Sequence, residues 1–224
     1  MVFGAYMLAV NVKSYVNRLY VLTTTSLAIW AFAFSLSTSA PTAKVSALFS
    51  SISALGWGVF YSFFFHFVLI LTKTEIRLRK GILHTLIYIP ALINVFLFGP
   101  YGYHTDEQYK MVWTDFGWSN ITSLDIWELW FMAYYSVFVA ASLIVLIRWW
   151  KNIEPNTRLK RQGKYLLISI MFPLFLGVST ETVPALIGVT HFPKLTVAFL
   201  MVPITTLFLA SRKFGLLLER KREG

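Results

Sequence analysis

Two ionisable side chains lie inside long apolar runs of this chain. Glu181 sits in Ser179-Thr180-Glu181-Thr182-Val183-Pro184, and His66 sits in Phe63-Phe64-Phe65-His66-Phe67-Val68. An ionisable group in hydrocarbon is expensive and marks a functional candidate by default. For Glu181 the chemistry is that of a ligand- or proton-binding carboxyl in an outward-open cavity. The competing reading is a carboxyl hydrogen-bonded to its Ser and Thr neighbours that fixes helix packing. His66 reads as a hydrogen-bonded packing residue, and His84 as an interfacial one. Depth along the helices suggests partners for Glu181: Asn94, Trp130, Tyr134, Ser50 and Ser53, with Trp57 and Tyr61 a turn or two deeper. Together they could line an apolar pocket with a few polar groups, the usual make-up of a small-ligand site. No other chemistry is written in the chain. It has no Gly-rich phosphate loop, no His-Glu-x-x-His and no nucleophile elbow. Its four histidines are scattered, and it contains no cysteine. No catalytic residue, metal site or cofactor is expected.

The elements that must position these residues are membrane helices. The 224 residues are 57% hydrophobic and 13% charged, far from the balance of soluble domains. The stretches Val45–Leu71, Tyr165–Thr180 and Leu195–Ser211 carry no charge at all. About 20 apolar residues suffice to cross the hydrocarbon. The expected fold is therefore an all-α integral membrane bundle of seven helices. A short first helix covers Val2–Val10, and helix two runs from Leu19 to Ala40. Helix three runs from Val45 to Leu71, helix four from Ile82 to Phe98, and helix five from Ile126 to Trp150. Helix six covers Tyr165–Ile187 and helix seven Leu195–Ala210. Pro173 and Pro184 in helix six and Pro203 in helix seven predict kinks, while Gly56 and Gly58 in helix three permit close helix contact. The first helix is too short to span, which suggests a truncated start or partial insertion.

The net charge of +10 follows the positive-inside rule. Of the twenty Lys and Arg residues, all but Lys44, Lys110 and Lys194 fall in connections on one side of the predicted spans. This places the N-terminus outside and the C-terminus in the cytoplasm, as a multi-pass protein of the inner (plasma) membrane surrounded by lipid. It also argues against a nucleic-acid partner. The longest loop, Gly99–Asp125, is external. It carries Asp106, Glu107 and Asp115 among Tyr101, Tyr103, Tyr109, Trp113, Phe116 and Trp118. It reads as an interfacial aromatic belt with a solvated loop, or as a lid that contacts ligand.

Several stretches resemble the N-terminal seven-helix membrane region of bacterial sensor histidine kinases, a region also found on some diguanylate cyclases. Asn17-Arg18-Leu19 leading to Ala28-Ile29-Trp30 is similar to its entry into helix two, and Gly56-Trp57 through His66-Phe67 resembles its helix three. Arg161-Gln162 opens helix six in the family manner. Glu181-Thr182-Val183-Pro184-Ala185-Leu186-Ile187-Gly188-Val189, followed by Phe192-Pro193, resembles the family's polar-x-x-Pro-x-x-Gly segment. Arg212-Lys213-Phe214-Gly215-Leu216 looks like the exit of helix seven. The resemblance implies a sensor domain over residues 1–211 and a basic cytoplasmic tail over 212–224 that starts a signalling helix or ends the chain naturally. It further implies a small-molecule ligand, extracellular or membrane-borne, and a cytoplasmic output domain or partner protein. A homodimer is implied if the chain is a kinase sensor. The chain itself would not be an enzyme, though a longer protein could carry a kinase or cyclase domain after it. Two other classes compete: a small transporter or channel, and an accessory subunit of a membrane complex.

Overall fold

The computed structural model describes residues 2–102, 109–120, 125–177, 180, 183 and 195–214. Its helices are α1 (Val2–Val10), α2 (Tyr15–Thr38), α3 (Ala43–Leu71), α4 (Lys80–Phe98), α5 (Ile126–Asn152), α6 (Arg158–Gly177), α7 (Thr196–Phe199) and α8 (Met201–Phe214). Two strands, β1 (Met111–Thr114) and β2 (Gly117–Asn120), lie between α4 and α5. Among the described residues, four helices, α2, α3, α4 and α5, are long and apolar enough to cross a membrane.

Local chemistry sets the helix starts. Ser14 caps α2 by accepting from Asn17 N–H (3.5 Å), and Thr42 caps α3 by accepting from Val45 N–H (3.3 Å). Asp125 caps α5 by accepting from both Trp127 and Glu128 N–H (2.9 and 2.8 Å). The start of α2 lies four residues before the expected Leu19. The polar residues that seemed to belong to a connection lie on the helix and bond back to the segment before it. Asn17 donates to the carbonyls of Met7 and Asn11 (2.9 and 3.1 Å), and the Arg18 guanidinium reaches the Val12 carbonyl (2.8 Å). α3 ends in a Schellman motif: Thr74 N–H donates to Leu69 O (3.0 Å) and Lys73 N–H to Ile70 O (3.1 Å), with Lys73 at φ 52°. The C-terminus of α5 is held by the Lys160 ammonium, which donates to the carbonyls of Trp150, Lys151 and Ile153, the last two at 3.2 Å. Trp150 Nε1 returns a bond to Lys160 O (3.0 Å).

α2 and α3 form the closest pair. A Cβ on Gly56 would collide with the Ser26 carbonyl and the Trp30 backbone, so only glycine lets the two backbones approach this far. Near the α2–α3 turn, Ser37 Oγ bonds Ser50 Oγ (2.7 Å) and Ser46 Oγ (3.0 Å) and donates to Ser46 O (2.9 Å). α4 and α5 pack on the other side of α3. Buried residues of α1, α2, α3, α4, α5, α6 and α8 share one apolar core, from Met7 and Leu27 through Phe67 and Leu146 to Leu207. Tyr20 OH ties α2 to α8 by donating to Ile204 O (3.0 Å).

Several expectations are corrected. The bundle is not purely helical, because the Gly99–Asp125 connection folds into an antiparallel β1–β2 hairpin that pairs Trp113 with Trp118. The hairpin is fastened rather than loose. Trp118 Nε1 donates to Ala40 O (2.8 Å), Gly117 (φ 95°) lies against Thr38 O, and Tyr109 OH donates to Phe98 O (2.9 Å). Helix seven is not continuous. It breaks at Leu200, because the Pro203 ring clashes with the carbonyl four residues back, that of Phe199, and sits instead in the first turn of α8. α4 runs through Pro90, as the expected range of helix four required. Pro184 and the distal part of helix six lie outside the described residues.

Candidate functional site

Five of the six predicted site residues converge where α3, α4 and α5 meet, toward the end of the bundle that carries the hairpin. Glu181 lies outside the described residues. Asn94 of α4 is fully buried. Its Nδ2 donates to Gly58 O of α3 (3.3 Å), and its Oδ1 accepts from Trp130 Nε1 of α5 (3.0 Å). One amide thus joins three helices. It can approach because a Cβ on Gly58 would sit only 3.3 Å from Asn94 Cβ.

One turn along α3 and α5, a second three-helix link repeats the design. Ser62 Oγ donates to Ile87 O of α4 (2.6 Å) and so must accept from Tyr134 OH of α5 (2.9 Å). The Tyr134 oxygen in turn accepts from Ser62 N–H (3.2 Å). The remaining two candidates are the aromatic packing around these links. Trp57 lies edge-on to Phe98 (5.1 Å between centroids) and tilted against Phe131 (4.4 Å), while Tyr61 packs on Tyr134 (6.1 Å) and Tyr135 (5.9 Å). A satellite cluster of Ala54, Leu97 and Phe98, flanked by Trp57, Trp127, Trp130 and Phe131, closes this end.

In this arrangement the polar groups satisfy one another. The amide keeps one N–H and one lone pair beyond its two bonds, and Trp57 Nε1 makes no hydrogen bond among the described residues. Those are the groups with which a small ligand could exchange. Ser50 and Ser53 do not join the seam: Ser50 bonds Ser37, and Ser53 Oγ donates to Ser50 O (2.6 Å). Sequence reasoning missed Ser62, which anchors the second link. Its signal was the small-residue stripe Ala54-Gly58-Ser62, spaced four apart along one face of α3. At the opposite end His66 is hydrogen-bonded, with Nδ1 2.6 Å from Tyr88 OH. Among the described residues no group of three or more His, Asp or Glu could hold a metal.

The family described as the N-terminal 7TM region of histidine kinase matches residues 1–217. The chain belongs to this family. It is therefore a membrane-embedded helical bundle of a sensory kind, in a non-catalytic domain family. No curated protein and no solved structure matches it.

Proposed function

We propose that this chain is the sensing module of a histidine-kinase-like signal-transduction protein in the plasma membrane. Its basic end and C-terminus face the cytoplasm and its hairpin end faces outward. A small ligand, extracellular or membrane-borne, acts on the α3–α4–α5 seam at Asn94, Trp130, Tyr134, Trp57 and Tyr61, with Glu181 as the charged member of the site. The ligand exchanges its own polar groups for the Asn94 and Tyr134 links and so favours one helix arrangement over another. It can do this only by binding the two arrangements with different affinity. The shift reaches a cytoplasmic output domain or partner through α8 and the residues after Arg212, within a homodimer. The observation that carries this reading is the family match over residues 1–217.

The test is a fusion of residues 1–224 to a histidine-kinase catalytic domain, reconstituted in liposomes and screened against small-molecule fractions from the outer medium and from membrane extracts. A fraction that changes autophosphorylation is expected. Asn94→Ala and Glu181→Ala should abolish the response to that fraction, measured relative to each variant's own basal autophosphorylation. A full response in both variants would remove the site. Solute flux through the unfused chain, without any effect on phosphorylation, would replace the sensor by a transporter.

A further inference from the structure

At the end of the bundle opposite the hairpin, four titratable rings from three helices form one cluster. His66 of α3 is only 3% exposed. Its Nδ1 lies 2.6 Å from Tyr88 OH of α4. Its ring stands edge-on to His84 of α4 (centroids 5.2 Å apart, 61°) and edge-on to Tyr15 of α2 (5.6 Å, 69°). His84 lies nearly parallel to Tyr88 at 6.3 Å (19°). The groups facing His66 are thus Tyr15 from α2 and His84 and Tyr88 from α4. Lys80 lies one turn before His84 on α4, Arg18 lies one turn after Tyr15 on α2, and Glu75 belongs to the α3–α4 connection. No carboxylate bonds either imidazole among the described residues.

The two histidines differ in access. His84 is exposed and makes no hydrogen bond among the described residues, whereas His66 is sealed between α2 and α4. A neutral imidazole has one donor and one acceptor nitrogen, and a protonated one has two donors. With Nδ1 of neutral His66 as acceptor, Tyr88 donates. When His66 takes a proton, Nδ1 must donate and the bond to Tyr88 reverses. Charges on both rings, whose centroids lie 5.2 Å apart, repel each other. Histidine is the side chain whose ordinary titration falls between about pH 5 and 8.

We propose that His84 and His66 form a coupled proton-binding site at the basic end of the bundle, with His84 as the accessible member. Proton uptake there resets the His66–Tyr88 bond and the seating of α4 against α2 and α3. The two rings meet edge-on at 5.2 Å without a hydrogen bond between them, so they are coupled through space: a proton on either ring raises the cost of charging the other. On the orientation proposed above, the pH that it reads is that of the cytoplasm. The site needs neither the outer ligand nor an output domain.

The experiment is NMR titration of the full chain in lipid nanodiscs with labelled histidine, from pH 8 to pH 5. His84→Gln and Tyr88→Phe are compared with the parent, and resonances are assigned through the variants. In the parent, the His66 resonance is expected to move between pH 8 and pH 5. In His84→Gln, an exposed position whose replacement should not disturb folding, the His66 midpoint is expected to shift by about half a pH unit or more. In Tyr88→Phe, which removes the partner of Nδ1, the His66 midpoint should shift as well. A His66 resonance constant from pH 8 to pH 5, or an unchanged His66 midpoint in both variants, overturns the proposal.

Discussion

Asn94 shows what a single buried side chain does here. Truncation to Ala leaves the Gly58 carbonyl and the Trp130 indole N–H without their partner. In membrane bundles such interhelical bonds are worth about 0.6 kcal/mol on average and up to about 2 kcal/mol. Asn94→Ala is expected to cost about 1–2 kcal/mol in equilibrium unfolding, and Tyr134→Phe somewhat less, because Ser62 keeps its bond to Ile87 O. A second residue-scale prediction concerns Lys73, a non-glycine residue in the left-handed region at φ 52°. Lys73→Gly should stabilise the protein by about 1 kcal/mol, read as a higher melting temperature. Tyr109 supplies a pH dependence outside the spans. Burial raises its phenol above the ordinary value of 10.0. The neutral form is favoured in the folded state, so its contribution is complete below pH 10 and is lost as the pH rises through the folded value. Alkaline titration should therefore loosen the hairpin, visible as faster amide exchange at residues 111–120, before the core responds.

Among the elements, the long helices were legible because hydrocarbon imposes a length and an apolar composition that few other constraints imitate. The expected ranges of helices three, four and five agree with α3, α4 and α5 to within two residues at each end. The hairpin was not legible. Its turn is Asp115-Phe116 rather than an Asn-Gly type, its strands have four residues each, and it is stabilised by contacts to Thr38 and Ala40 far away in the chain. Pro203 announced an interruption of helix seven, but its place at Leu200 was not legible, because the same proline reads equally well as a kink or as a first-turn residue. Of the site, depth placed Asn94, Trp130 and Tyr134 at one level of the bundle as partners for Glu181, without showing that they touch. Ser62 and the carbonyls of Gly58 and Ile87 were invisible, because a single sequence does not reveal which helix faces meet. Two predictions belong to this scale. Gly56→Leu should cost more than about 2 kcal/mol by driving α2 from α3. Lys160→Met should release the carbonyls at the end of α5 and raise amide exchange at residues 150–162, with little effect elsewhere.

For the whole molecule, the uneven distribution of Lys and Arg is the strongest statement in the sequence, and the absence of cysteine makes it easy to test. Asp115→Cys in the hairpin and Arg77→Cys in the α3–α4 connection each introduce a single thiol. In intact cells a membrane-impermeant maleimide is expected to label the first, and to label the second only after permeabilisation. The reverse pattern would invert the orientation and with it the compartment that His84 meets.

The tight α2–α3 seam also bears on how the protein is made. A short turn of residues 39–42 joins the two helices, and their serine and glycine contacts need nothing from later in the chain. A helical hairpin of this kind can enter the bilayer as one piece while the ribosome, adding about 5–20 residues each second, is still producing α5 and α6. The Ser37 hydroxyl then meets Ser46 and Ser50 within the same insertion event and does not wait in lipid for a partner. α2 and α3 would thus form a finished two-helix template, against which α4, then α5, and finally α8 are laid in the order of their synthesis.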